Sequence, residues 1–128
     1  MRLLLDTHIL LWALVDDPRL PARARALIAD PENPVWISAA CIWEIAIKHS
    51  LGRGHMPLSG DLAMAFCREA GYEFLPVAPA HAAATEQLAP LHSDPFDRLL
   101  VAQAMTESMH LLTHDEMIGR YDAPIIKV

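Results

Sequence analysis

The sequence lacks several patterns that identify common classes of protein. Its 128 residues include two cysteines, Cys41 and Cys67, which lie far apart and form no CxxC pair. A disulfide framework is therefore not indicated, and we expect a protein of the reducing cytoplasm. The five glycines form neither a P-loop nor a Gly-x-Gly-x-x-Gly pattern, and no Gly-x-Ser-x-Gly pattern occurs. These absences exclude the common nucleotide-binding loops and remove support for a serine hydrolase.

Positive charge and long apolar runs are also scarce. Ten Lys and Arg residues against sixteen Asp and Glu residues give a net charge of −6 at pH 7. This balance argues against a protein that wraps nucleic acid or an anionic membrane by its overall charge. The longest uncharged stretches are too short and too polar for a membrane span, and Asp6 and His8 interrupt the opening apolar run that a signal peptide would need. We expect no membrane partner.

The residues that are present predict a compact α/β protein. Hydrophobic residues make up 53% of the chain, which suffices for the core of a single domain over residues 1–128. Short apolar runs predict strands near residues 2–6, 35–38, 73–77, 111–113 and 125–128. Helices are predicted between them from Thr7, Pro21, Ser38, Ser59 or Gly60, His81 and Asp94, and the third ends at Gly52 and Gly54. This alternation is typical of a mostly parallel sheet of four to five short strands with helices on both faces.

Polar residues follow the ends of three predicted strands. In an open α/β sheet, a site forms beyond the carboxyl ends of the strands, where we expect Asp6, Ser38 and the segment 113–115. Taken alone, Asp6 is explained as a turn residue or a helix cap, and Asp115 as a turn residue. These simpler explanations stay open for each residue on its own.

Further acids lie in the predicted helices. Glu44 is almost the only polar residue of an apolar helical stretch, and an ion pair with Lys48, four residues on, explains it as well as a functional role does. Asp94 is expected to cap a helix, an explanation that covers Asp97, in the first turn, less completely. Strand-end and helix acids together predict one cluster of carboxylates at the sheet edge: Asp6, Glu44, Asp97 and Asp115.

The predicted carboxylate cluster requires a cation. Carboxylates close together raise each other's pKa and stay ionised at neutral pH only when a cation lies among them. Mg²⁺ and Mn²⁺ prefer oxygen ligands and leave positions for substrate phosphates. Two such ions about 4 Å apart can hold the attacking and leaving oxygens of a phosphoryl displacement and lower the pKa of a bound water. The cluster therefore predicts a metal-dependent phosphodiesterase.

Other residues give weaker indications. The seven histidines lack HExxH spacing, and most are expected at the surface or a sheet edge. Trp12, Trp36 and Trp43 are expected to fill the core rather than stack on bases. The arginines at positions 19, 23 and 25 could bind RNA phosphates or solvate a helix, and the pattern slightly favours solvation.

Four sequence blocks resemble the PIN-domain family, and within it the VapC-type toxins of type II toxin–antitoxin systems: Leu5 to Trp12, Trp43 to Lys48, Asp94 to Ala104 and Thr113 to Asp115. The resemblance implies a three-layer α/β/α fold. It also implies a Mg²⁺-dependent endoribonuclease, with Mn²⁺ able to substitute, that cleaves RNA phosphodiesters by metal-activated water. A cognate antitoxin is implied as partner. A mean hydropathy of +0.22 further suits a homodimer and an antitoxin-binding groove.

The resemblance also implies a role for each acid. Asp6 and Asp97 would be direct metal ligands, and Glu44 and Asp115 would complete the site. Residues that would orient water or a carboxylate, or contact a metal-bound water, are Thr113, Ser38 and Asp94. Two other functions stay open: a phosphoaspartate-forming phosphatase or receiver-like enzyme, and a non-catalytic protein-binding module whose acids are caps and ion pairs. The absence of a DxD element at Asp6 argues against a dehalogenase-like phosphatase.

Overall fold

The computed structural model describes residues 1–53 and 55–128, so Gly54, one of the two glycines predicted to end the third helix, lies outside the described residues. The elements are β1 (Leu3–Leu5), α1 (Thr7–Leu14), α2 (Ala22–Ala29), β2 (Val35–Ser38), α3 (Ala39–Ser50), α4 (Gly60–Ala70), β3 (Glu73–Leu75), α5 (Pro79–Ala84), α6 (Pro95–Glu107), β4 (His110–Thr113) and β5 (Ile125–Lys127). Short 3₁₀ helices occur at Thr85–Gln87 and Ile118–Arg120. In the described part of the chain, the helices are too short or too polar to span a membrane.

The strands form one parallel sheet in the order β3-β2-β1-β4-β5. β1 lies at its centre, with Leu3 paired to Val35 of β2 and to His110 of β4. Leu3, Leu4 and Leu5 have no exposed surface. Because consecutive residues of a strand face opposite sides of a sheet, both faces are covered by other elements. This confirms the predicted three-layer α/β/α fold, with five strands and a sheet that is wholly parallel.

The direction in which the chain builds the sheet reverses beside β1. From β1 the chain moves outward to β2 and β3, and it then crosses to the other side of β1 to form β4 and β5. Because such crossovers are right-handed, the helices of the two halves lie on opposite faces, and a crevice opens between the carboxyl ends of β1 and β4. Asp6 follows β1 and Thr113 ends β4, so the fold carries both residues to this crevice.

Most of the predicted element ends are confirmed to within two residues. Ser59 caps α4 and Asp94 caps α6, as predicted. α1 begins at Thr7, as predicted, and Asp6 caps it, one of the two simpler explanations given for that residue, because Oδ1 of Asp6 accepts the Ile9 N–H at 2.8 Å. β3 is two residues shorter than predicted, since the proline that follows it has no N–H to donate to a neighbouring strand.

The tryptophans do not all fill the core, contrary to the prediction. Trp12 and Trp36 are partly buried against the core, but Trp43 is 62% exposed. α3 turns Glu44 inward, and the preceding position is rotated by about 100° around the helix, so Trp43 faces outward. The apolar stretch around Glu44 is therefore not buried on all sides.

Candidate metal centre at the carboxyl end of the sheet

Asp6 lies where β1 ends and α1 begins, and it is only 4% exposed. One carboxylate oxygen accepts the Ile9 N–H at 2.8 Å, and the other accepts the Thr113 hydroxyl at 2.5 Å. The Asp6 N–H donates to the Leu112 carbonyl of β4 at 3.1 Å. Because an ionised carboxylate has about four acceptor positions, these contacts fix the group and leave capacity for a further partner.

Thr113 connects two of the predicted acids. Its buried hydroxyl donates to Asp6 and accepts the Asp115 N–H at 3.0 Å. Oδ1 of Asp115 accepts the N–H groups of Met117, at 2.7 Å, and Ile118, at 3.0 Å. The turn after β4 thus uses one oxygen of Asp115 and leaves its Oδ2 on the side of the crevice, 3.9 Å from a ring nitrogen of His92.

Asp94 and Asp97 share the start of α6 but have different contacts. Oδ1 of Asp94 accepts the N–H of Phe96 at 2.8 Å and that of Asp97 at 3.2 Å. Those are the contacts of a helix cap. Asp97 instead places its Oδ2 2.9 Å from Nε2 of His92. Asp97 is therefore the acid of this helix that faces the crevice.

His92 lies within the cluster, although the sequence did not indicate it. Its Nδ1 accepts the Asp94 N–H at 3.2 Å, so the neutral ring carries its proton on Nε2. Nε2 is buried and lies close to Asp97, but its geometry does not meet the criteria for a hydrogen bond to any group in the described residues. One possible ligand atom from each of His92, Asp97 and Asp115 lies within 4.8 Å of the others. The available sequence signal was a histidine two residues before the capping Asp94.

Contacts distant in sequence hold His92 in place. The Tyr121 hydroxyl accepts the His92 N–H at 3.1 Å and an Arg98 N–H at 3.1 Å. Arg98 also donates to the carbonyls of Thr85, at 3.0 Å, and Ala89, at 3.1 Å. Tyr121 and Arg98 therefore position the loop before α6 against the sheet, and with it the ring of His92.

Glu44 reaches the cluster from α3. Its Oε1 accepts the Thr7 hydroxyl at 2.6 Å, and its Oε2 lies 2.6 Å from Nζ of Lys48. The ion pair with Lys48 offered by the sequence is thus present. The charge of Glu44 also helps to raise the pKa of Asp97, so the carboxylate takes part in the electrostatics of the cluster. Both explanations given for Glu44 are compatible with its contacts.

Ser38 and Cys41 lie beside the acids with contacts of their own. The Ser38 hydroxyl accepts the Ala40 N–H at 3.0 Å and caps α3. The Cys41 thiol lies 3.6 Å from the Leu5 carbonyl, and burial raises its pKa to about 12. Ser38 therefore has the contacts of a helix cap, and Cys41 stays a protonated thiol.

The carboxylates of the cluster are short of positive charge. Burial raises the pKa of Asp97 to about 8, and neighbouring carboxylates contribute in the same direction, in the order Asp94, Asp6, Glu44 and Asp115. Burial also raises the pKa of Asp6, although the hydrogen bonds from Thr113 and Ile9 oppose it. Each of these groups would ionise more readily with a cation nearby.

The donor set fits a hard divalent cation. Asp6, Asp97 and Asp115 offer carboxylate oxygens, which Mg²⁺ and Mn²⁺ prefer. A divalent charge would offset the desolvation and repulsion that raise the pKa of Asp97. Because Nδ1 of His92 accepts the Asp94 N–H, the neutral ring offers an N–H rather than a lone pair on the side of Asp97, and it is better suited to donate to an oxygen than to bind a metal. The carboxylates are therefore the groups that would hold an ion.

Comparisons with known proteins cover almost the whole chain. The PIN domain family matches residues 3–124. No curated protein matches the sequence. Among solved structures, VapBC2 from Rickettsia felis, bound to a DNA fragment from their promoter, contains a chain 15% identical with a TM-score of 0.71, over 100% of this chain and 99% of that one.

Two further solved structures have the same fold. VapBC-1 from nontypeable Haemophilus influenzae gives 17% identity and a TM-score of 0.66 over 99% of this chain and 98% of that chain. FitAcB from Neisseria gonorrhoeae gives 19% identity and a TM-score of 0.61 over 98% and 96%. The family match includes all four acids that the sequence grouped together. As the four sequence blocks predicted, the chain belongs to the PIN domain family.

Proposed function

We propose that this protein is a VapC-type toxin of a type II toxin–antitoxin system and acts as a Mg²⁺-dependent endoribonuclease, with Mn²⁺ able to replace Mg²⁺. PIN domain proteins are generally nucleases that use divalent metals. The proposal is carried by Asp97 and Asp115, which offer ligand atoms within 4.8 Å of each other beside His92, and by Asp6, which the Thr113 hydroxyl links to the Asp115 backbone. Phosphodiester hydrolysis suits such a site, because negative charge develops on the phosphoryl oxygens during attack.

The four acids would have different roles in binding the ion. Asp6 and Asp97 would bind it directly, and Glu44 and Asp115 would complete the site. When bound, the ion stabilises charge on the phosphoryl oxygens and lowers the pKa of the water that attacks the RNA phosphodiester in line.

The neighbouring residues keep the acids in position. Thr113 bridges Asp6 and the backbone of Asp115, so it orders both sides of the crevice. Lys48 neutralises one oxygen of Glu44. The Nε2–H of His92 lies beside the same carboxylates, where it can donate to a phosphate oxygen.

The proposal includes an antitoxin and a second copy of this chain as protein partners, and a cytoplasmic location where RNA and the antitoxin are present. Support comes from the fold shared with the VapBC structures. A groove of about 470 Å³ between α3, α4 and β3 is lined almost wholly by apolar side chains, including the exposed Trp43. Contiguous apolar surface of this kind is typical of protein-binding sites.

RNA cleavage by the purified protein tests the proposal. We expect cleavage with Mg²⁺ or Mn²⁺ and none with EDTA. The products should have 5′-phosphate and 3′-hydroxyl ends, because water attacks the phosphorus and the 3′-oxygen leaves. A metal-free ribonuclease that used histidines and the 2′-hydroxyl would leave cyclic phosphates.

Substitution of one acid supplies the matched control. Asp6→Asn should fold and bind RNA but not cleave it, whereas Asp122→Asn, at an exposed acid outside the cluster, should cleave as the unsubstituted protein does. Undiminished cleavage by Asp6→Asn would refute the proposal. Trapping of aluminium fluoride on Asp6 would indicate the phosphoaspartate enzyme, and absence of Mn²⁺ binding in calorimetry would indicate the non-catalytic module.

A further inference from the structure

A cleft of about 380 Å³ lies between α1 and the segment that follows α3. We call it the basic cleft; its polar lining residues are His8, Asp17, Arg19, Lys48, Arg53 and His55. Asp17 is the acid of this lining, and the Arg19 guanidinium donates to both of its carboxylate oxygens. Three cations against one carboxylate give this lining a positive balance in a chain whose net charge is −6.

The basic cleft adjoins the acidic crevice. A smaller recess of about 230 Å³ is lined by Asp6, His8, Trp12, His114 and Asp115. His8 and Trp12 line both the recess and the basic cleft. The basic cleft therefore lies next to the carboxylates, on the far side of His8 and Trp12 from Asp6 and Asp115.

The charges of the basic cleft suit a polyanion. The side chain of Arg53 is exposed. Among residues 1–53 and 55–128, no carboxylate oxygen lies within 4.0 Å of its guanidinium. Lys48 is half-buried and pairs with Glu44, so it lies where the basic cleft meets the acidic cluster. Nucleic-acid phosphates are bound chiefly by Lys and Arg. When these side chains neutralise the phosphates, counterions are released from the nucleic acid.

The wall shared by the recess and the cleft is aromatic. The Trp12 ring lies 6.0 Å from that of His8 and 5.9 Å from that of His114, centre to centre. Arg19 places its guanidinium carbon 5.5 Å from the centre of the Trp12 ring. Aromatic rings beside basic side chains bind single strands, because unpaired bases expose faces that stack on them.

We propose that the basic cleft binds the single-stranded segment of RNA next to the cleaved phosphodiester, with phosphates on Arg53 and Lys48 and a base stacked against Trp12. The inference rests on the proposed ribonuclease function, whose substrate it places. It also divides the arginines at 19, 23 and 25: Arg19 lines the cleft, while Arg23 and Arg25 do not.

Binding of a fluorescein-labelled single-stranded RNA, followed by anisotropy in the non-cleaving Asp97→Asn protein, tests the inference. Arg53→Gln should weaken binding about threefold or more and reduce the slope of log Kd against log salt by about 0.7. Arg23→Gln is the matched control, because Arg23 is exposed on α2 outside the cleft, and it should bind as the parent does. Equal affinities of Arg53→Gln and Arg23→Gln would overturn the proposal.

Trp12 is tested separately because it also packs on the core. Trp12→Leu should weaken binding about fivefold or more and Trp12→Phe much less, since phenylalanine keeps an aromatic face. A duplex of the same sequence should bind more weakly than the single strand, and equal affinity would overturn the stacking of a base on Trp12. Circular dichroism checks folding; if Trp12→Leu unfolds, Trp12→Phe and the duplex decide.

The outcomes separate this inference from the proposed function. Cleft-dependent binding by a protein that never cleaves RNA would support the cleft as an RNA site and refute the ribonuclease. Cleavage whose KM is unchanged by Arg53→Gln would refute the cleft alone. Binding of an acidic peptide, but not of RNA, that depends on Arg53 would overturn the proposal in favour of a protein partner.

Discussion

Asp97 and Asp17 are acids of the same chain in opposite surroundings. Burial and then the neighbouring carboxylates raise the pKa of Asp97 to about 8. Hydrogen bonds from Arg19 lower the pKa of Asp17 below its usual value. Glu116 resembles Asp17, because the hydrogen bond from Lys127 lowers its pKa. Asp17 and Glu116 thus have a cation supplied by the chain, whereas Asp97 lies among other carboxylates.

The difference shows where the chain depends on something outside itself. Buried carboxylates are costly unless they are paired. In the described part of the chain, the ammonium nearest to the cluster is that of Lys48, and it is bound to Glu44. Strongly perturbed acids in a cleft are typical of functional sites. We therefore expect a divalent cation to do for the acids of the cluster what Arg19 and Lys127 do for Asp17 and Glu116.

The largest effect is expected from Asp97→Asn. Asparagine keeps the shape of the side chain but removes the charge that would bind the ion, so RNA cleavage should fall by more than about 100-fold. Initial rates with saturating Mn²⁺ measure the loss, and calorimetry measures Mn²⁺ affinity in parallel. Cleavage that survived while Mn²⁺ binding was lost would show that the difference between Asp97 and Asp17 has no role in catalysis.

A second expectation concerns pH in the absence of metal. Asp97 has a pKa of about 8 when folded and 3.8 as its ordinary value, so between these values the folded protein binds the extra proton. The free energy of unfolding should therefore fall as pH rises from about 4 to about 8, with a limiting slope of about 1.4 kcal/mol per pH unit from this group. Urea denaturation in EDTA measures it.

The Asp97→Asn protein is the control for this slope, because other groups titrate in the same range. The difference between the two proteins should isolate Asp97, and Mn²⁺ should remove most of it by favouring the ionised carboxylate. Identical pH profiles of the two proteins would show that Asp97 is no more perturbed than a surface acid.

Much of the fold and the acids of the site could be predicted because their signals are local. The apolar run before Asp6 and the sequence Asp94-Pro95 each determine an element boundary within a few residues, and parallel strands carry such boundaries to one edge. The sequence also indicated that Asp94 and Asp97 differ in their contacts, because a role as helix cap explains Asp94 better than it explains Asp97.

The parts that could not be predicted depend on contacts distant in sequence. His92 lies in the cluster because the hydroxyl of Tyr121, 29 residues away, accepts the His92 backbone N–H. Thr113 was expected to orient water or a carboxylate, but its partner, Asp6, is 107 residues away and was not specified. Trp43 is exposed because α3 directs Glu44 inward. In an almost wholly apolar helix, the sequence does not show which side faces the core. That residues 1–128 form one domain stays a prediction.

A smaller effect is expected from Thr113→Val, which keeps the shape of the side chain and removes its hydroxyl. The Asp6 carboxylate and the Asp115 N–H would each lose a hydrogen bond in a buried place. The expected loss of stability is about 1–3 kcal/mol, measured by urea denaturation, together with slower cleavage. A loss confined to stability, with cleavage unchanged, would mean that Thr113 supports the fold without ordering the acids.

The smallest effect is expected from Glu116→Gln at the surface pair. Glu116 and Lys127 lie 2.5 Å apart with 74% and 40% of their side chains exposed, so water and salt screen the attraction. Because the pKa of Glu116 is lowered, any contribution to stability is present above its ordinary pKa and is lost as the pH falls through the lowered value, opposite in direction to Asp97. At pH 8 the melting temperature should match that of the unsubstituted protein within replicate scatter. A loss as large as that of Thr113→Val would show that this chain depends on its exposed acids too, and burial would no longer distinguish the interior cluster.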